Sequence, residues 1–174
     1  MKEIQSKVDN YFPLNKEVPV ESIQIKPEVR TLCEKNQCGN YNKNWTCPPA
    51  VGSLEESEEK IRKYKSFIIV YSVYPLKNSF DLRGMMDGAK EFNDRLLKLK
   101  KDIDKSKDIM VLGAGACTLC DKCFYIDQKK CRRPDDAIIS CEAFGIDVMT
   151  LMKENELKYN NGANTVTYIG GVLY

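Results

Sequence analysis

The chain has 174 residues, a length typical of one domain, and 43% of them are hydrophobic, which is enough to fill a core without cross-links. The 27 Lys and Arg residues are nearly balanced by 25 Asp and Glu residues and are mixed with them, so charge gives no support for a nucleic-acid or membrane-surface partner. The chain contains no histidine, which excludes the usual general base, a Cys–His nucleophile pair and a mixed Cys/His zinc site.

The cellular compartment decides how the cysteines are interpreted. No segment approaches the roughly 20 apolar residues that cross a bilayer, and the first residues, Met1 to Lys7, lack the apolar run of a secretory signal. We therefore expect a cytoplasmic protein. Because a reducing compartment disfavours disulfides, the eight cysteines indicate metal ligands or catalytic groups.

The N-terminal segment predicts a short strand, a helix and a loop. Ile23 and Ile25 alternate with polar residues, as in a strand. Pro27 suits the first position of a helix for which Gly39 is the stop signal, and residues 40–52 are loop-like. Val29, Leu32 and Cys33 are expected on one face of this helix.

The middle of the chain predicts two helices around a buried strand. Ser53 and Glu56 form a capping box that opens a charged helix to about Tyr64, and residues 67–71 form a β-branched and aromatic strand. A long helix is expected from about Ser79 to Lys105. The buried stripe of that helix is Leu82, Met85, Ala89, Phe92, Leu96, Leu99 and Ile103.

The C-terminal part continues this alternation. Residues 109–112 predict a second buried strand, and residues 134–145 predict a helix that begins at a proline followed by two acids. Asp147 is expected to cap a short helix that reaches about Leu157, and residues 165–169 predict the last strand. The chain is therefore expected to form a single layered α/β domain over residues 1–174, with cysteine segments at 33–47 and 117–131.

The strongest motif is a cysteine triplet, Cys117, Cys120 and Cys123, followed by Cys131. Cys-x2-Cys-x2-Cys wraps the chain around a small volume and is the spacing with which ferredoxin-type proteins hold a 4Fe–4S cluster. Zinc sites more often use two separated Cys-x2-Cys pairs. Cys131 supplies a fourth ligand or crosses to a second cluster, and the amide end of the helix predicted after it would favour an anionic cluster.

A second group comprises Cys33, Cys38 and Cys47, the last followed by Pro48 and Pro49. A proline after a cysteine stiffens the loop and removes a backbone donor. This spacing alone is less specific than the triplet, and buried structural cysteines are its ordinary explanation. The triplet elsewhere in the chain favours metal ligation here as well.

The spacing leaves the division of the cysteines between clusters open. In one division the triplet and Cys131 hold one cluster, while Cys33, Cys38 and Cys47 hold a second cluster with an iron that no cysteine binds. In the other division Cys47 completes the triplet and Cys131 joins Cys33 and Cys38. An iron without a cysteine would be a Lewis acid that binds sulfide or a small substrate. Cys141 could fill that position, although core packing explains it equally well.

The residues from Cys33 to Tyr41, from Trp45 to Pro49 and from Gly113 to Asp147 resemble a family known only as predicted metal-binding proteins, which is common in anaerobic bacteria and methanogens. The resemblance covers most of the chain after residue 20. It implies metal binding through Cys33, Cys38, Cys47, Cys117, Cys120, Cys123 and Cys131. Position 141 is usually small or apolar in this pattern, which argues against Cys141 as a ligand, and the resemblance implies no particular reaction.

Other side chains near the cysteines have less specific roles. The aromatic residues that flank the two groups are expected to shield the metal from water, and they are Tyr41, Trp45, Phe124 and Tyr125. The only acid–base candidates near a cluster are Glu142, Asp147 and Lys122, for which helix capping and surface charge are the ordinary explanations.

The sequence thus predicts an iron–sulfur protein with one or two 4Fe–4S clusters that transfers electrons to a partner protein or supports a partner enzyme. Two alternatives remain. One is an enzyme that uses an open iron at Cys33, Cys38 and Cys47, and the other is a structural zinc-binding module. The sequence does not decide whether the protein is an enzyme, and it leaves the oligomeric state open.

Overall fold

The computed structural model describes residues 2–103 and 107–174, so the predicted end of the long helix at Lys105 lies outside the described residues. The helices are α1 (Lys2–Tyr11), α2 (Pro27–Glu34), α3 (Leu54–Ile61), α4 (Leu82–Asp102) and α5 (Val148–Glu154). The strands are β1 (Asn15–Pro19), β2 (Ser66–Pro75), β3 (Met110–Gly113), β4 (Ile139–Ser140) and β5 (Thr165–Leu173). Short 3₁₀ helices lie at Val20–Ser22, Phe124–Asp127 and Glu142–Phe144.

The five strands form one mixed sheet in the order β1-β2-β5-β3-β4. The pairs from β1 through β3 are antiparallel, and β3 and β4 are parallel, with Gly113 opposite Ser140. The α/β class predicted from the sequence is confirmed.

Each face of the sheet carries its own hydrophobic core, since neighbouring residues of a strand point to opposite faces. Phe67 and Ile69 pack with residues of α3 and α5 on one face. Ile68 and Val70 pack with residues of α1 and α4 on the other face. The sheet is therefore a buried layer between helices, as the uninterrupted apolar run of β2 requires.

Several predicted elements are confirmed with small changes in their ends. Ser53 caps α3 in a complete capping box, in which the Ser53 hydroxyl accepts from the Glu56 amide and the Glu56 carboxylate accepts from the Ser53 amide. Asp147 caps α5 by accepting from the Thr150 amide. The strands predicted at 67–71 and 165–169 extend to the bounds of β2 and β5.

The predicted helix over residues 134–145 is wrong. Residues 134–136 form a turn, in which the Asp136 carboxylate accepts from Arg133 and pairs with Lys101, and the chain then enters β4. The Cys141 amide donates to the Gly113 carbonyl across the end of β3. Pairing with β3, a contact distant in sequence, thus overrides the local helix signal, and the helix whose amide end was expected to face Cys131 is not formed.

Three further predictions are corrected. Ile23 is not in a strand, and Ile25 forms only an isolated bridge with Ile146. Helix α2 ends at Glu34 and does not continue to the predicted stop at Gly39, and Leu32 on the face it shares with Val29 and Cys33 is 61% exposed. At the start of the long helix, Leu82 is 71% exposed and Met85 and Ala89 are only partly buried, whereas Phe92, Leu96 and Leu99 are buried.

The parallel pair β3 and β4 fixes the position of the site described below. Both strands end at the same edge of the sheet, where α/β proteins commonly bind ligands. The chain that leaves β3 carries the cysteine triplet, and the chain that leaves β4 carries Cys141 and Glu142. In the two described ranges, no helix has the length and apolar character needed to span a membrane.

Candidate metal centre

Four thiols line one cavity beside the end of β3. They belong to Cys117, Cys120, Cys123 and Cys131, and we refer to them as the first thiol site. Residues of a separate loop, Asn44, Trp45 and Thr46, complete the wall together with Leu119, Phe124, Arg132, Arg133 and Ala137. The triplet and Cys131 are therefore brought together.

Hydrogen bonds to α4 hold the beginning of this loop. The Asn93 side chain of α4 donates to the Ala114 carbonyl at 2.7 Å and accepts from the Ala114 amide at 3.1 Å. After the triplet, the 3₁₀ helix Phe124–Asp127 ends at Gln128, whose φ of 55° lies in the left-handed region and reverses the chain. This reversal returns Cys131 to the cavity.

Backbone amides point at two of the sulfurs. The Arg133 amide donates to Cys131 Sγ at 3.4 Å. Burial raises the pKa of Cys117, as do the neighbouring cysteine charges, whereas a hydrogen bond from the Leu119 amide lowers it. Such N–H···S bonds favour negative charge on sulfur, as a metal-bound thiolate or a reduced cluster carries.

The other three predicted ligands, Cys33, Cys38 and Cys47, form what we call the second thiol site. Cys33 lies in the last turn of α2, Cys38 is exposed in the following turns, and Cys47 is buried. Burial, together with the charges of Cys38 and Cys33, raises the pKa of Cys47 to about 11 against the opposing hydrogen bond of the Thr46 side chain. The pKa of Cys33 is raised by burial and then by Cys38. The three thiols are thus electrostatic neighbours.

A buried arginine accompanies the second thiol site. Arg30 lies one turn before Cys33 on α2, and its guanidinium donates to the Gly52 carbonyl at 2.8 Å and to Ser57 Oγ at 3.2 Å. Its Nε atom is buried without a hydrogen-bond partner among the described residues. The positive charge of Arg30 lowers the pKa of Cys33, against the larger effect of burial. Arg30 therefore stabilises a thiolate here.

The segment from Asn44 to Cys47 joins the two thiol sites. Asn44 Nδ2 donates to the Cys117 carbonyl at 3.0 Å, and Thr46 Oγ1 accepts from the Cys117 amide at 3.0 Å. Cys47 follows directly, and its pKa is affected by the charge of Cys123 in the first thiol site. The two groups of cysteines are consequently adjacent, although they come from distant parts of the chain.

Three of the four flanking aromatic residues cover the first thiol site. Trp45 and Phe124 line its cavity, and Tyr125 packs edge-to-face on Trp45 with ring centroids 4.9 Å apart. Trp45 Nε1 donates to the Lys129 carbonyl at 3.0 Å, which fixes the indole over the loop. The Tyr41 amide donates to the Asn36 side chain in the second cysteine segment.

Cys141 lies apart from the other seven cysteines. It is fully buried in the hydrophobic core on the α3 and α5 face of the sheet and lines neither thiol site. Burial raises its pKa well above the ordinary value, and the charge of Glu142 adds to this effect. The core-packing interpretation therefore fits its surroundings.

The three acid–base candidates have different environments. Asp147 bonds Lys26 at 2.6 Å and caps α5, and Lys122 pairs with Asp127 at 2.7 Å, so both have structural partners. Glu142 Oε2, in contrast, is buried without a hydrogen-bond partner in the described part of the chain. Burial raises the pKa of Glu142, while its own amide and the Ser140 hydroxyl oppose that shift.

Across residues 2–103 and 107–174, no three His, Cys, Asp or Glu side chains converge closely enough to hold a single metal ion. The thiols of the first site instead stand around a common cavity. Sequence reasoning did not identify Arg30, Asn44, Thr46 or Asn93 as part of this region. Only Arg30 gave a usable signal, because it lies three residues before Cys33 on one helix face.

A family model described as predicted metal-binding protein, DUF2284, matches residues 16–174. The chain belongs to the DUF2284 family. The metal-binding character predicted from the sequence is thereby supported at the level of the DUF2284 family. Neither a search of curated proteins nor a search of solved structures finds a match to the chain.

Proposed function

We propose that this DUF2284 protein holds two 4Fe–4S clusters, one at each thiol site, and transfers single electrons to and from a partner protein. The observation that carries this proposal is the cavity lined by Cys117, Cys120, Cys123 and Cys131. Four thiols around one volume are what a cubane cluster needs, because each thiolate binds a different iron.

The donor set supports iron and sulfide over zinc. All seven proposed ligands are thiols, which are soft donors suited to iron–sulfur clusters as well as to zinc. A zinc ion, however, requires its ligands to meet at one point, with Zn–S distances of about 2.3 Å. The four cysteines of the first thiol site line one cavity, which suits a polynuclear cluster in which each iron binds a different thiolate.

The surrounding side chains suit a one-electron centre. A bound 4Fe–4S cluster accepts and releases one electron at a time. The Arg133 amide on Cys131 Sγ and the Arg30 charge beside Cys33 both stabilise added negative charge. Trp45 and Phe124 line the first thiol site, whose four cysteines are partly exposed, and Cys38 of the second thiol site is exposed. These features support electron exchange with a docked protein.

The test is anaerobic purification followed by iron and sulfide determination, visible absorption and EPR of the reduced protein. We expect about eight irons and eight sulfides per chain, broad brown absorption and signals of reduced 4Fe–4S clusters. Cys120→Ser should lose about four irons, because it removes a ligand from the first thiol site only. Cys141→Ser is the matched control and should keep the full iron content.

A colourless protein with stoichiometric zinc would overturn the proposal in favour of a structural zinc module. Equal loss of iron in the Cys120→Ser and Cys141→Ser variants would contradict the assignment of Cys141 to the core. A second candidate function, catalysis at an iron that no cysteine binds, is favoured by the three-cysteine composition of the second thiol site.

A further inference from the structure

The second thiol site supplies three thiols, one fewer than a cubane cluster has irons. The four cysteines of the other site share their own cavity, and Cys141 is fully buried in the core. No eighth cysteine is therefore placed to complete the second thiol site. A fourth ligand has to come from another type of side chain or from a small molecule.

Glu142 is the side chain that the fold brings to this position. It follows β4 at the start of the 3₁₀ helix Glu142–Phe144, and this 3₁₀ helix packs against α2, the helix that carries Cys33. The Glu142 carboxylate and the Cys33 thiol therefore belong to two elements that are in contact with each other.

The surroundings of Glu142 leave one oxygen of its carboxylate without a partner. Oε2 is buried and accepts no hydrogen bond from the described residues. No lysine or arginine forms a salt bridge with Glu142 in the described ranges, although many surface carboxylates of the chain have such partners. A buried carboxylate oxygen without a partner costs several kcal/mol, which a bound cation would offset.

We propose that the Glu142 carboxylate is the fourth ligand of the second thiol site, so that three thiolates and one carboxylate hold its cluster. This inference rests on the proposed function. Carboxylates bind iron through oxygen, and Oε2 is the acceptor that the protein leaves open. An oxygen ligand is harder than a thiolate and exchanges more readily, so this iron is the one that oxidation removes first.

The experiment compares Glu142→Gln with Glu34→Gln. Glu34 is the matched control because it lies next to Cys33 and carries the same negative charge near that thiol. Its side chain is exposed, so it has no buried carboxylate oxygen to offer a metal. After brief exposure to ferricyanide, we expect Glu142→Gln to fall from about eight irons to about seven and to show the EPR signal of an oxidised 3Fe–4S cluster. Wild type and Glu34→Gln should keep about eight irons under the same treatment.

A replacement ligand gives a second readout. Glu142→Cys restores a thiolate donor, so it should resist the loss of iron at least as well as the wild type. Mössbauer spectra of the wild-type protein should contain one iron subsite distinct from the all-thiolate subsites, a measurement that requires no variant. Retention of eight irons and an unchanged EPR spectrum in Glu142→Gln, or equivalent Mössbauer subsites throughout, would overturn the proposal. A wild-type protein without iron would instead refute the proposed function itself.

Discussion

Glu142 and Asp147 lie five residues apart and have opposite environments. Asp147 accepts from Lys26, from the Thr150 hydroxyl at 2.6 Å and from the Thr150 amide at 3.0 Å, so its charge is well satisfied. Glu142 has a buried oxygen with no such donor. The sequence shows two acids near a cysteine segment and cannot separate them, because the donors to Asp147 come from α5 and from Lys26, 121 residues away.

The Asp147 environment predicts a measurable effect on stability. Burial alone would raise its pKa, but hydrogen bonds from Lys26 and Thr150 outweigh burial and hold the pKa at about 2. A carboxyl with a lowered folded-state pKa stabilises the protein above its unfolded pKa of about 3.9, and this contribution is lost as pH falls toward 2. We expect Asp147→Asn to lower the free energy of unfolding by about 1–2 kcal/mol at pH 7.

Denaturant unfolding of variant and wild type at pH 7 and near pH 3 measures this effect, and the difference between them should shrink at the lower pH. Asp87→Asn is the control, since Asp87 forms only an exposed pair with Arg83 at 3.9 Å. A loss with Asp147→Asn that is no larger than the loss with Asp87→Asn would contradict the prediction.

At the scale of single elements, local sequence signals correctly predicted β2, β5, α3 and α5. They gave the wrong element where contacts between residues distant in sequence determine the secondary structure. The capping box of Ser53 and the apolar run of β2 act within a few residues, so sequence alone identified them. Strand β4 has two residues and exists through its pairing with β3, whose partner Gly113 lies 27 residues earlier. The proline and acids at 134–136 have the pattern of a helix start, and a short stretch of sequence contains no information about the pairing with β3.

Helix α4 gives the clearest test at this scale. Its predicted apolar stripe includes Leu96, which is fully buried, and Leu82, which is 71% exposed. We expect Leu96→Ala to cost about 2–5 kcal/mol of unfolding free energy, because it leaves a cavity against the sheet. Leu82→Ala should change stability by less than about 0.5 kcal/mol.

Thermal or denaturant unfolding of the two variants under one set of conditions makes this comparison. Similar losses in both would mean that the first turn of α4 is covered in solution, and the prediction would be wrong.

At the scale of the whole molecule, charge is nearly neutral overall but uneven around the first thiol site. The exposed basic residues of the 117–133 segment are Lys122, Lys129, Lys130, Arg132 and Arg133. Against them the segment carries only Asp121 and Asp127, and Lys122 pairs with Asp127. The net charge of the whole chain does not reveal this local excess of positive charge. A positive rim of this kind steers negatively charged molecules toward the centre that it surrounds.

The rim predicts how fast small oxidants react with the reduced protein. An anionic oxidant should react faster than a cationic complex of equal driving force, and the advantage should decrease as salt is raised. Stopped-flow absorption measures both rates. Lys130→Glu should slow the anionic reagent several-fold. Arg83→Glu is the control, because residue 83 lies about 15 Å along α4 from Asn93, which contacts the loop before the triplet. Equal slowing in both variants would show that only net charge matters.

The hydrogen bonds between Asn44, Thr46 and the Cys117 backbone have a consequence for maturation. They connect residues more than seventy positions apart, so the loop of each thiol site is held in place partly by the loop of the other. Neither loop is fully ordered until both are. Insertion of the first cluster should therefore preorganise the ligands for the second, and loading should be cooperative. Partially reconstituted preparations would then contain mostly empty and fully loaded chains, with few that carry a single cofactor.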